Sequence, residues 1–326
     1  MKVAMLAAAL GMSVSWASQA STVIPTSYEA GHFIATPTTA SGKLLRLNVD
    51  TGGGSAYLWL KASAAKPLSL KPARCFGTDG YVEPPAFTPG KGLPPLGGHQ
   101  CNNVMISPDA HGDEMTDGVV SAWYLAKGIW TFDYPARRLT LEDTTWKPGT
   151  DDHAVPLGFP INAAGEFGTP YPRIAVTIEG EQIDLLLDTG ATAHPTTAGR
   201  AVMTTAVAPD GFAAGSYITT SIMNRWHASH PDWPLIEAAD DLFGAKNATR
   251  AIRVPSVVVG EWRIGPVWFI ERADGAFDDK TGLSRFMDEE IHGALGGNAL
   301  SAFRMTVDYP HRKAWLTCIE GCKPVR

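Results

Sequence analysis

The tripeptide Asp-Thr-Gly occurs twice in this chain, and each copy follows an apolar run of the kind that forms a strand. The first copy is Asp50-Thr51-Gly52 and the second is Asp188-Thr189-Gly190. A strand that ends in a carboxylate, a hydroxyl and a glycine predicts a tight loop, because glycine lets the backbone fold back on itself. Two such loops at equivalent places constrain the fold much more than one would.

A second pair of matching segments accompanies the two tripeptides. Residues 117–141 align with residues 292–316 without a gap, at a constant offset of 175. The two Asp-Thr-Gly copies lie 138 residues apart, so the second half contains 37 additional residues before its closing segment. The chain is therefore predicted to use one half-unit twice, with a carboxylate at the same place in each half.

The composition favours short strands and turns over helix bundles. Glycine (33 residues) and proline (24) are plentiful, and only 18% of the residues are charged. This balance predicts a mostly β protein. The formal net charge of −6 comes without a basic stretch, which argues against nucleic acid as a partner.

The first twenty residues are typical of a secretory signal peptide. Lys2 precedes an apolar stretch that ends in small residues, so we expect export to the periplasm or secretion and no membrane contact after cleavage. Four cysteines in an exported chain predict two disulfides. Of the three connectivities, local pairing is favoured, which joins Cys75 to Cys101 and Cys318 to Cys322.

Four segments follow from these features. We predict a signal peptide at 1–20, an N-terminal lobe at 21–145, a linker rich in Pro, Gly and Asp at 146–165, and a C-terminal lobe at 166–326. The additional residues of the second lobe are placed at about 204–250, where the composition of 235–243 predicts a helix. Insertions of this size usually form surface elaborations or walls of binding sites.

The doubled motif resembles the aspartic protease superfamily. The resemblance is carried by the two Asp-Thr-Gly loops and by the glycine-containing apolar segments 117–120 and 293–296. The hairpins that begin at Tyr134-Pro135 and Tyr309-Pro310 are more similar to bacterial retropepsin-like proteins than to vertebrate pepsins. The resemblance covers about 25–145 and 165–318. It implies a mostly β, two-lobed, aspartic-protease-like β-barrel fold with an internal pseudo-two-fold repeat.

The two carboxylates also predict acid–base chemistry by a physical argument that does not depend on the resemblance. If the loops meet across the pseudo-two-fold axis, Asp50 and Asp188 cannot both ionise cheaply, so they share a proton. The ionised member can take a proton from water while the protonated member polarises a peptide carbonyl. This predicts a monomeric aspartic endopeptidase that hydrolyses peptide or protein substrates in an extended conformation, with no metal and no organic cofactor.

The resemblance also implies supporting roles for neighbouring residues. Thr51 and Thr189 are expected to lock the two loops across the lobe interface with their hydroxyls. Gly52 and Gly190 are expected to let backbone N–H groups approach the carboxylates. Tyr81 is the candidate aromatic residue of a flap over the cleft, and an ordinary loop tyrosine is the alternative.

The chain departs from the pepsin-like pattern directly after each tripeptide. A Ser or Thr usually follows there, whereas this chain has Gly53 and Ala191. Without those hydroxyls the dyad should be less acidic, so activity is expected to persist toward mildly acidic pH. If the loop at Gly53-Gly54 displaced Asp50, the chain would instead be a catalytically inactive module that binds extended peptides or another polymer. That module is the alternative function.

Overall fold

The computed structural model describes residues 21–75, 77–96, 103–109 and 116–325. The predicted signal peptide and Cys101 lie outside the described residues. The fold is mostly β, as the composition predicts. Its helices are short, and the longest of the described α-helices spans ten residues.

The first half contributes eleven of the described strands. They are β1 (Thr22–Ile24), β2 (Thr26–Glu29), β3 (His32–Ala35), β4 (Leu47–Val49), β5 (Leu58–Lys61), β6 (Pro72–Cys75), β7 (Thr78–Val82), β8 (Val104–Ser107), β9 (Gly118–Val120), β10 (Ile129–Asp133) and β11 (Arg138–Leu141). The helices of this half are α1 (Ala62–Ala65) and α2 (Ala122–Leu125), followed in chain order by those of the second half.

The linker and the second half contribute the remaining described elements. The strands are β12 (His153–Pro156), β13 (Arg173–Ile178), β14 (Glu181–Leu187), β15 (Thr192–Ala193), β16 (Ala213–Ala214), β17 (Ser216–Thr219), β18 (Leu235–Asp240), β19 (Thr249–Val254), β20 (Val257–Val259), β21 (Trp262–Ile264), β22 (Val267–Arg272), β23 (Gly293–Leu295), β24 (Phe303–Asp308), β25 (Lys313–Cys318) and β26 (Lys323–Pro324). The helices are α3 (Thr197–Arg200), α4 (Thr220–Ser229) and α5 (Gly297–Leu300).

Each half has its own large sheet. The first-half sheet has eight strands in the order β2-β3-β4-β9-β5-β8-β7-β6, and the second-half sheet has ten in the order β18-β19-β22-β17-β23-β14-β13-β20-β21-β26. The two sheets make two lobes, and the predicted fold class with its internal repeat is confirmed. The hydrogen-bonded order of every described sheet is open at both ends, so the predicted β-barrel does not close among the described strands.

The same supersecondary unit recurs in both lobes. The strand that ends at Asp-Thr-Gly pairs in parallel with a later strand, β4 with β9 and β14 with β23. The later strand then pairs antiparallel with β5 in the first lobe and with β17 in the second. Gly118 and Gly293 begin the two later strands, and a Cβ at either would lie about 2 Å from a carbonyl oxygen of the neighbouring strand. The close strand crossing therefore explains why both repeats have glycine there.

A third sheet joins the two lobes. Its six strands run in the order β1-β11-β10-β24-β25-β12, so each half-unit supplies one hairpin and the two hairpins meet where β10 pairs with β24. At the centre of that pairing Thr131 lies opposite Thr306, and their hydroxyls hydrogen-bond at 2.8 Å. These two residues are equivalent in the repeat, so the pseudo-two-fold axis passes close to this pair.

The buried core is continuous between the lobes. Its largest fully buried side chains include three from the first half and three from the second: Phe33, Trp130, Phe132, Phe269, Phe303 and Tyr309. In the part of the chain that the structure describes, no helix is long and apolar enough to cross a membrane. Cys318 and Cys322 form a disulfide as predicted, and Cys75 is also disulfide-bonded.

One local prediction about the second lobe is wrong. Residues 235–243 do not form a helix, because Leu235–Asp240 is strand β18 and pairs antiparallel with β19 at the edge of the ten-stranded sheet. The repeat also shows where part of the additional chain lies. Leu60 and Ile218 occupy equivalent positions, opposite Gly118 and Gly293, yet they follow their aspartates by ten and thirty residues. Twenty additional residues therefore lie between Asp188 and β17.

Candidate active site

The two Asp-Thr-Gly loops are held in the same way in both lobes. The backbone N–H of Asp50 donates to Val120 O at 2.9 Å, and that of Asp188 donates to Leu295 O at 3.0 Å. Both acceptors are the last residues of the parallel partner strands β9 and β23. The parallel pairing thus extends by one residue into each loop, and these hydrogen bonds hold the backbone of each aspartate in place.

Thr51 and Thr189 lock the loops together across the lobe interface. The Thr51 hydroxyl donates to Leu187 O at 2.6 Å and accepts from the N–H of Thr189 at 3.0 Å. The Thr189 hydroxyl donates to Val49 O at 2.7 Å and accepts from the N–H of Thr51 at 3.2 Å. Both threonines are almost fully buried, so these four reciprocal hydrogen bonds act without competition from solvent.

Gly52 and Gly190 bring each loop against the carboxyl group of the other lobe. A Cβ on Gly52 would lie 2.5 Å from Cγ of Asp188, and a Cβ on Gly190 would lie 2.6 Å from Cγ of Asp50. The N–H of Gly52 donates to Asp50 Oδ1 at 2.6 Å, and the N–H of Gly190 donates to Asp188 Oδ1 at 2.9 Å. Only glycine fits at these two places, because any side chain would push the carboxyl groups apart.

The two carboxyl groups lie close enough to change each other's pKa, and both are only partly exposed. Burial raises the pKa of Asp50, against lowering by the N–H groups of Gly52 and Gly53 and by Asp188. The pKa of Asp188 is raised well above its usual range, first by burial and then by the negative charge of Asp50. The two carboxyls therefore titrate as a coupled pair, and one proton shared between them avoids the cost of ionising both.

The loop at Gly53-Gly54 does not displace Asp50. Gly53 O accepts from the N–H of Ala122, while Gly54 O accepts from the hydroxyl of Tyr171 in the second lobe. Gly54 has φ of +108°, and a Cβ there would lie 2.3 Å from Cβ of Ser121. Glycine is required at Gly54 for both reasons, so the unusual residues after the first tripeptide fit their surroundings.

Tyr81 lies on β7 in the hairpin formed with β6. It pairs with Met105 of β8, and Met105 pairs in turn with Trp59 of β5, the strand that follows the first Asp-Thr-Gly loop. The three side chains share one row of the sheet and therefore one face. Tyr81 is thus on the sheet that carries Asp50, three strands from β9, and its role as a flap residue stays a prediction.

Several residues that contact these loops could not be identified from the sequence. Tyr171 reaches across from the second lobe to Gly54 O, and its ring packs edge to face against Phe286 at 6.3 Å. His32 on β3 donates from Nε2 to Ala191 O at 3.1 Å in the opposite loop and is fully buried. These contacts join segments that are more than a hundred residues apart, so no local pattern could reveal them.

The donor set of the site is made of carboxyls and backbone amides. In the described ranges, no three His, Cys, Asp or Glu side chains are grouped so that they could hold a metal ion. The two loops place a pair of carboxyls at the junction of the two lobes. Two carboxyls that share one proton can act as base and acid on one bound water and one carbonyl.

Comparisons with known proteins give structural similarity only. No family model matches the sequence, and no curated protein matches it. The chain is similar to the crystal structure of an aspartic proteinase from Irpex lacteus, at 12% identity and a TM-score of 0.45, with 93% of this chain and 98% of that one covered. It is also similar to basic 7S globulin from soybean, at 10% identity and a TM-score of 0.44, with coverages of 91% and 94%. These values do not assign an activity, so the chemistry of this chain rests on its own geometry.

Proposed function

We propose that this chain is an aspartic endopeptidase that hydrolyses peptide bonds with the dyad Asp50 and Asp188. The observation that carries the proposal is the approach of the two carboxyls at the junction of the loops, where Gly52 lies against the carboxyl of Asp188 and Gly190 against that of Asp50. The pKa of each carboxyl is raised by burial. Two carboxyls held this close together cost folding free energy, and groups with perturbed pKa values of this kind are concentrated at functional sites.

In the proposed mechanism the two carboxyls act together, one on the attacking water and the other on the peptide carbonyl. Asp50, ionised and held by the N–H of Gly52, takes a proton from a water molecule. Asp188, protonated, donates a hydrogen bond to the peptide carbonyl and stabilises the oxyanion as the water oxygen attacks. The tetrahedral intermediate then collapses: Asp50 gives the proton that it took from water to the amide nitrogen, the C–N bond breaks, and the products are a new carboxyl and a new amine. Neither aspartate forms a covalent bond to the substrate. Thr51 and Thr189 contribute by keeping the two loops rigid through their hydrogen bonds to the opposite loop.

The raised pKa values of both carboxyls favour activity in mildly acidic solution. A base with a raised pKa is ionised only at higher pH, and an acid with a raised pKa keeps its proton there. Gly53 and Ala191 supply no hydroxyl to lower either pKa. We therefore expect the maximum of kcat/KM at mildly acidic pH, and a profile confined to strongly acidic pH would contradict this part of the proposal.

The remaining parts of the proposal concern subtype, substrate and location. The Tyr-Pro hairpins favour a retropepsin-like subtype with both half-units on one chain, acting as a monomer. The substrate is an extended peptide or protein segment lying between the lobes, with Tyr81 on the covering hairpin. The disulfide between Cys318 and Cys322 is consistent with an exported protein in an oxidising compartment, periplasmic or secreted.

The test is cleavage of an unfolded protein between about pH 3 and pH 7. The comparison includes the mature protein, Asp188→Asn, which keeps the shape of the carboxyl, and Asp232→Asn as a matched control at an exposed position. We expect cleavage by the parent and the control and none by Asp188→Asn. Equal cleavage by all three proteins would overturn the proposal. Peptide binding without cleavage by any of them would favour the non-catalytic binding module.

A further inference from the structure

We propose that His32 and Tyr171 are a pair of positioning residues, each of which holds the Asp-Thr-Gly loop contributed by the opposite half of the chain. His32 of the first half holds the loop of Asp188, and Tyr171 of the second half holds the loop of Asp50. The effect on catalysis rests on the proposed function, whereas the contacts themselves do not. Neither residue belongs to a tripeptide or to the hydrogen bonds between the two threonines.

The two residues occupy the same place in the repeat, although one is a histidine and the other a tyrosine. Ile34 on β3 lies opposite the residue that comes two before the first Asp-Thr-Gly, and Arg173 on β13 lies opposite the residue that comes two before the second. Ile34 and Arg173 are therefore equivalent. His32 and Tyr171 each precede them by two residues. The pairing of the strands, and not the residue type, shows this equivalence.

His32 holds the second loop through its imidazole. The ring is fully buried, and Nε2 lies 3.1 Å from Ala191 O and 3.2 Å from Oγ1 of Thr192. The Thr192 hydroxyl donates its one proton to Gly190 O at 2.8 Å, so it accepts from His32, and the network assigns a proton to Nε2. One N–H of the first half thus reaches both residues that follow the second tripeptide.

The same network fixes the peptide group that joins Gly190 to Ala191. Its oxygen accepts from the Thr192 hydroxyl. Burial raises the pKa of Asp188 overall, and the N–H of this peptide group, on Ala191, opposes that rise. Because a peptide group is planar, holding its oxygen also fixes the direction of its N–H. His32 therefore acts on Asp188 through backbone atoms of the loop.

Tyr171 holds the first loop through its hydroxyl, which donates to Gly54 O. Its ring packs edge to face against Phe286, with the centroids 6.3 Å apart. The backbone next to it is fixed within the second half, because Pro172 O accepts from the N–H of Leu187 at 2.8 Å. The hydroxyl therefore ties the first loop to a part of the second half that is itself held on both sides.

The turn that precedes His32 is also held against the second half. Ala30 O accepts from the N–H of Ala214 at 2.7 Å, and a Cβ on Gly31 would lie 2.5 Å from Cβ of Ala214. The backbone on both sides of this contact is thus packed too closely for a side chain at Gly31. Both positioning residues therefore extend from fixed backbone, so their contacts can hold the loops in one arrangement.

The first test examines the two loops separately and needs no catalysis. Hydrogen exchange at the N–H groups of Gly52 and Gly190 reports on the loops, because each of these equivalent groups donates to the carboxyl of its own loop. We expect His32→Leu to speed exchange at Gly190 by about threefold or more and to leave Gly52 unchanged. Tyr171→Phe should do the reverse. Equal acceleration at both glycines, or none at either, would overturn the inference.

Two further variants serve as controls. His32→Gln keeps a side-chain N–H close to the position of Nε2, so exchange at Gly190 should return toward the parent rate. Tyr124→Phe also removes a hydroxyl that donates to a backbone carbonyl, but its acceptor, Pro94 O at 2.6 Å, lies outside both loops. Acceleration at Gly52 as large in Tyr124→Phe as in Tyr171→Phe would overturn the inference. Urea unfolding of each variant verifies that it is folded under the conditions of the exchange.

The second test separates kcat from KM in the cleavage of a peptide substrate. We expect kcat to fall by about tenfold or more in His32→Leu and in Tyr171→Phe, because a displaced carboxyl slows the chemical step. KM should stay within about twofold of the parent value, since the loop contacts are not contacts to the substrate. His32→Gln should recover most of kcat. A kcat equal to that of the parent in both His32→Leu and Tyr171→Phe would overturn the positioning role.

The two proposals fail in different ways. If the parent cleaves nothing but each variant speeds exchange only in the loop of the opposite half, the proposed function is wrong and the contacts across the lobes stand. If the parent cleaves but exchange changes equally in both loops, the proposed function stands and the inference is overturned.

Discussion

Asp50 and Asp188 are equivalent residues of the repeat, yet the proposed mechanism gives them different protonation. Burial raises the pKa of both, but a negative charge on one neighbouring carboxyl disfavours a charge on the other. The N–H groups of Gly52 and Gly53 both lower the pKa of Asp50. The second loop also donates two N–H groups to Asp188, from Gly190 and Ala191, yet the pKa of Asp188 is raised further, because the charge on Asp50 outweighs them.

This protonation has a consequence for stability. A carboxyl whose pKa is raised in the folded state favours folding only while it is protonated, so its contribution is present at low pH and is lost as the pH rises through the folded pKa. Asn cannot ionise, so Asp188→Asn removes this fall in folding stability with rising pH. We expect the inactive variant to unfold at a higher urea concentration than the parent at neutral pH, with the difference shrinking toward strongly acidic pH. A parent that is equally or more stable at neutral pH would contradict the assignment of Asp188.

The hydrogen bonds that Thr51 and Thr189 make across the lobe interface, here called the threonine interlock, can also be tested by substitution. Thr51→Val keeps the shape but removes one hydroxyl that both donates to Leu187 O and accepts from the N–H of Thr189. Two buried backbone groups then lose their partners, so we expect a loss of about 3 kcal/mol in the free energy of unfolding. Thr51→Ser retains the hydroxyl and should lose less than about 1 kcal/mol. Equal losses in the two variants, measured by urea unfolding, would show that methyl packing and not the interlock is responsible.

Among the secondary-structure elements, β10 and β24 form the joint between the lobes. Thr131 and Thr306 lie opposite each other in this joint, and both are buried. Replacing one by Val leaves the other hydroxyl without its partner, so each single variant should lose about 1 to 3 kcal/mol of unfolding free energy. The double variant removes both hydroxyls and should lose less than the sum of the two single losses. Additive losses in urea unfolding would mean that the two hydroxyls do not interact.

The elements next to the tripeptides could be predicted from the sequence, and part of the insertion could not. Leu47–Val49 and Glu181–Leu187 are strands because apolar residues run up to a glycine-containing loop in both halves. Leu235–Asp240 has good helix formers such as Leu, Glu and Ala, yet it is a strand because it pairs with β19. A bulge in that pairing and a left-handed Ala238 (φ 48°) interrupt any helix, and neither is visible in the composition.

For the whole molecule, the features that could not be predicted from the sequence are contacts between the two lobes. The repeat predicts which carboxyls meet, because equivalent loops around one axis must approach each other. It does not predict that His32 of the first lobe is buried against Ala191 of the second, since the two halves differ at these positions. Tyr134 and Tyr309 can be recognised in the sequence as equivalent residues of the repeat, but their burial depends on how the hairpins pack.

His32 limits the stability of the assembled lobes in acid. Burial lowers its pKa to about 4, against the raising effect of its hydrogen bond to Ala191 O, so the folded protein favours neutral His32. Its contribution to stability is complete above the ordinary pKa near 6.5 and falls by up to about 3 kcal/mol as the pH drops to 4. In His32→Gln this part of the pH dependence should be missing. The unfolding free energy between these pH values is the measurement, and the partly exposed His230→Gln is the control. Identical slopes in the parent and His32→Gln would contradict the prediction.

The proposed function requires Asp50 and Asp188 to act as a single catalytic unit. The decisive measurement is the cleavage rate of four proteins: the parent, Asp50→Asn, Asp188→Asn and the double variant. If the two carboxyls share one proton and one reaction, each single change should lower kcat/KM by at least about a thousandfold, and the double change should cost no more than either single one. A single variant that keeps most of the parent's activity, or losses that multiply in the double variant, would contradict the claim.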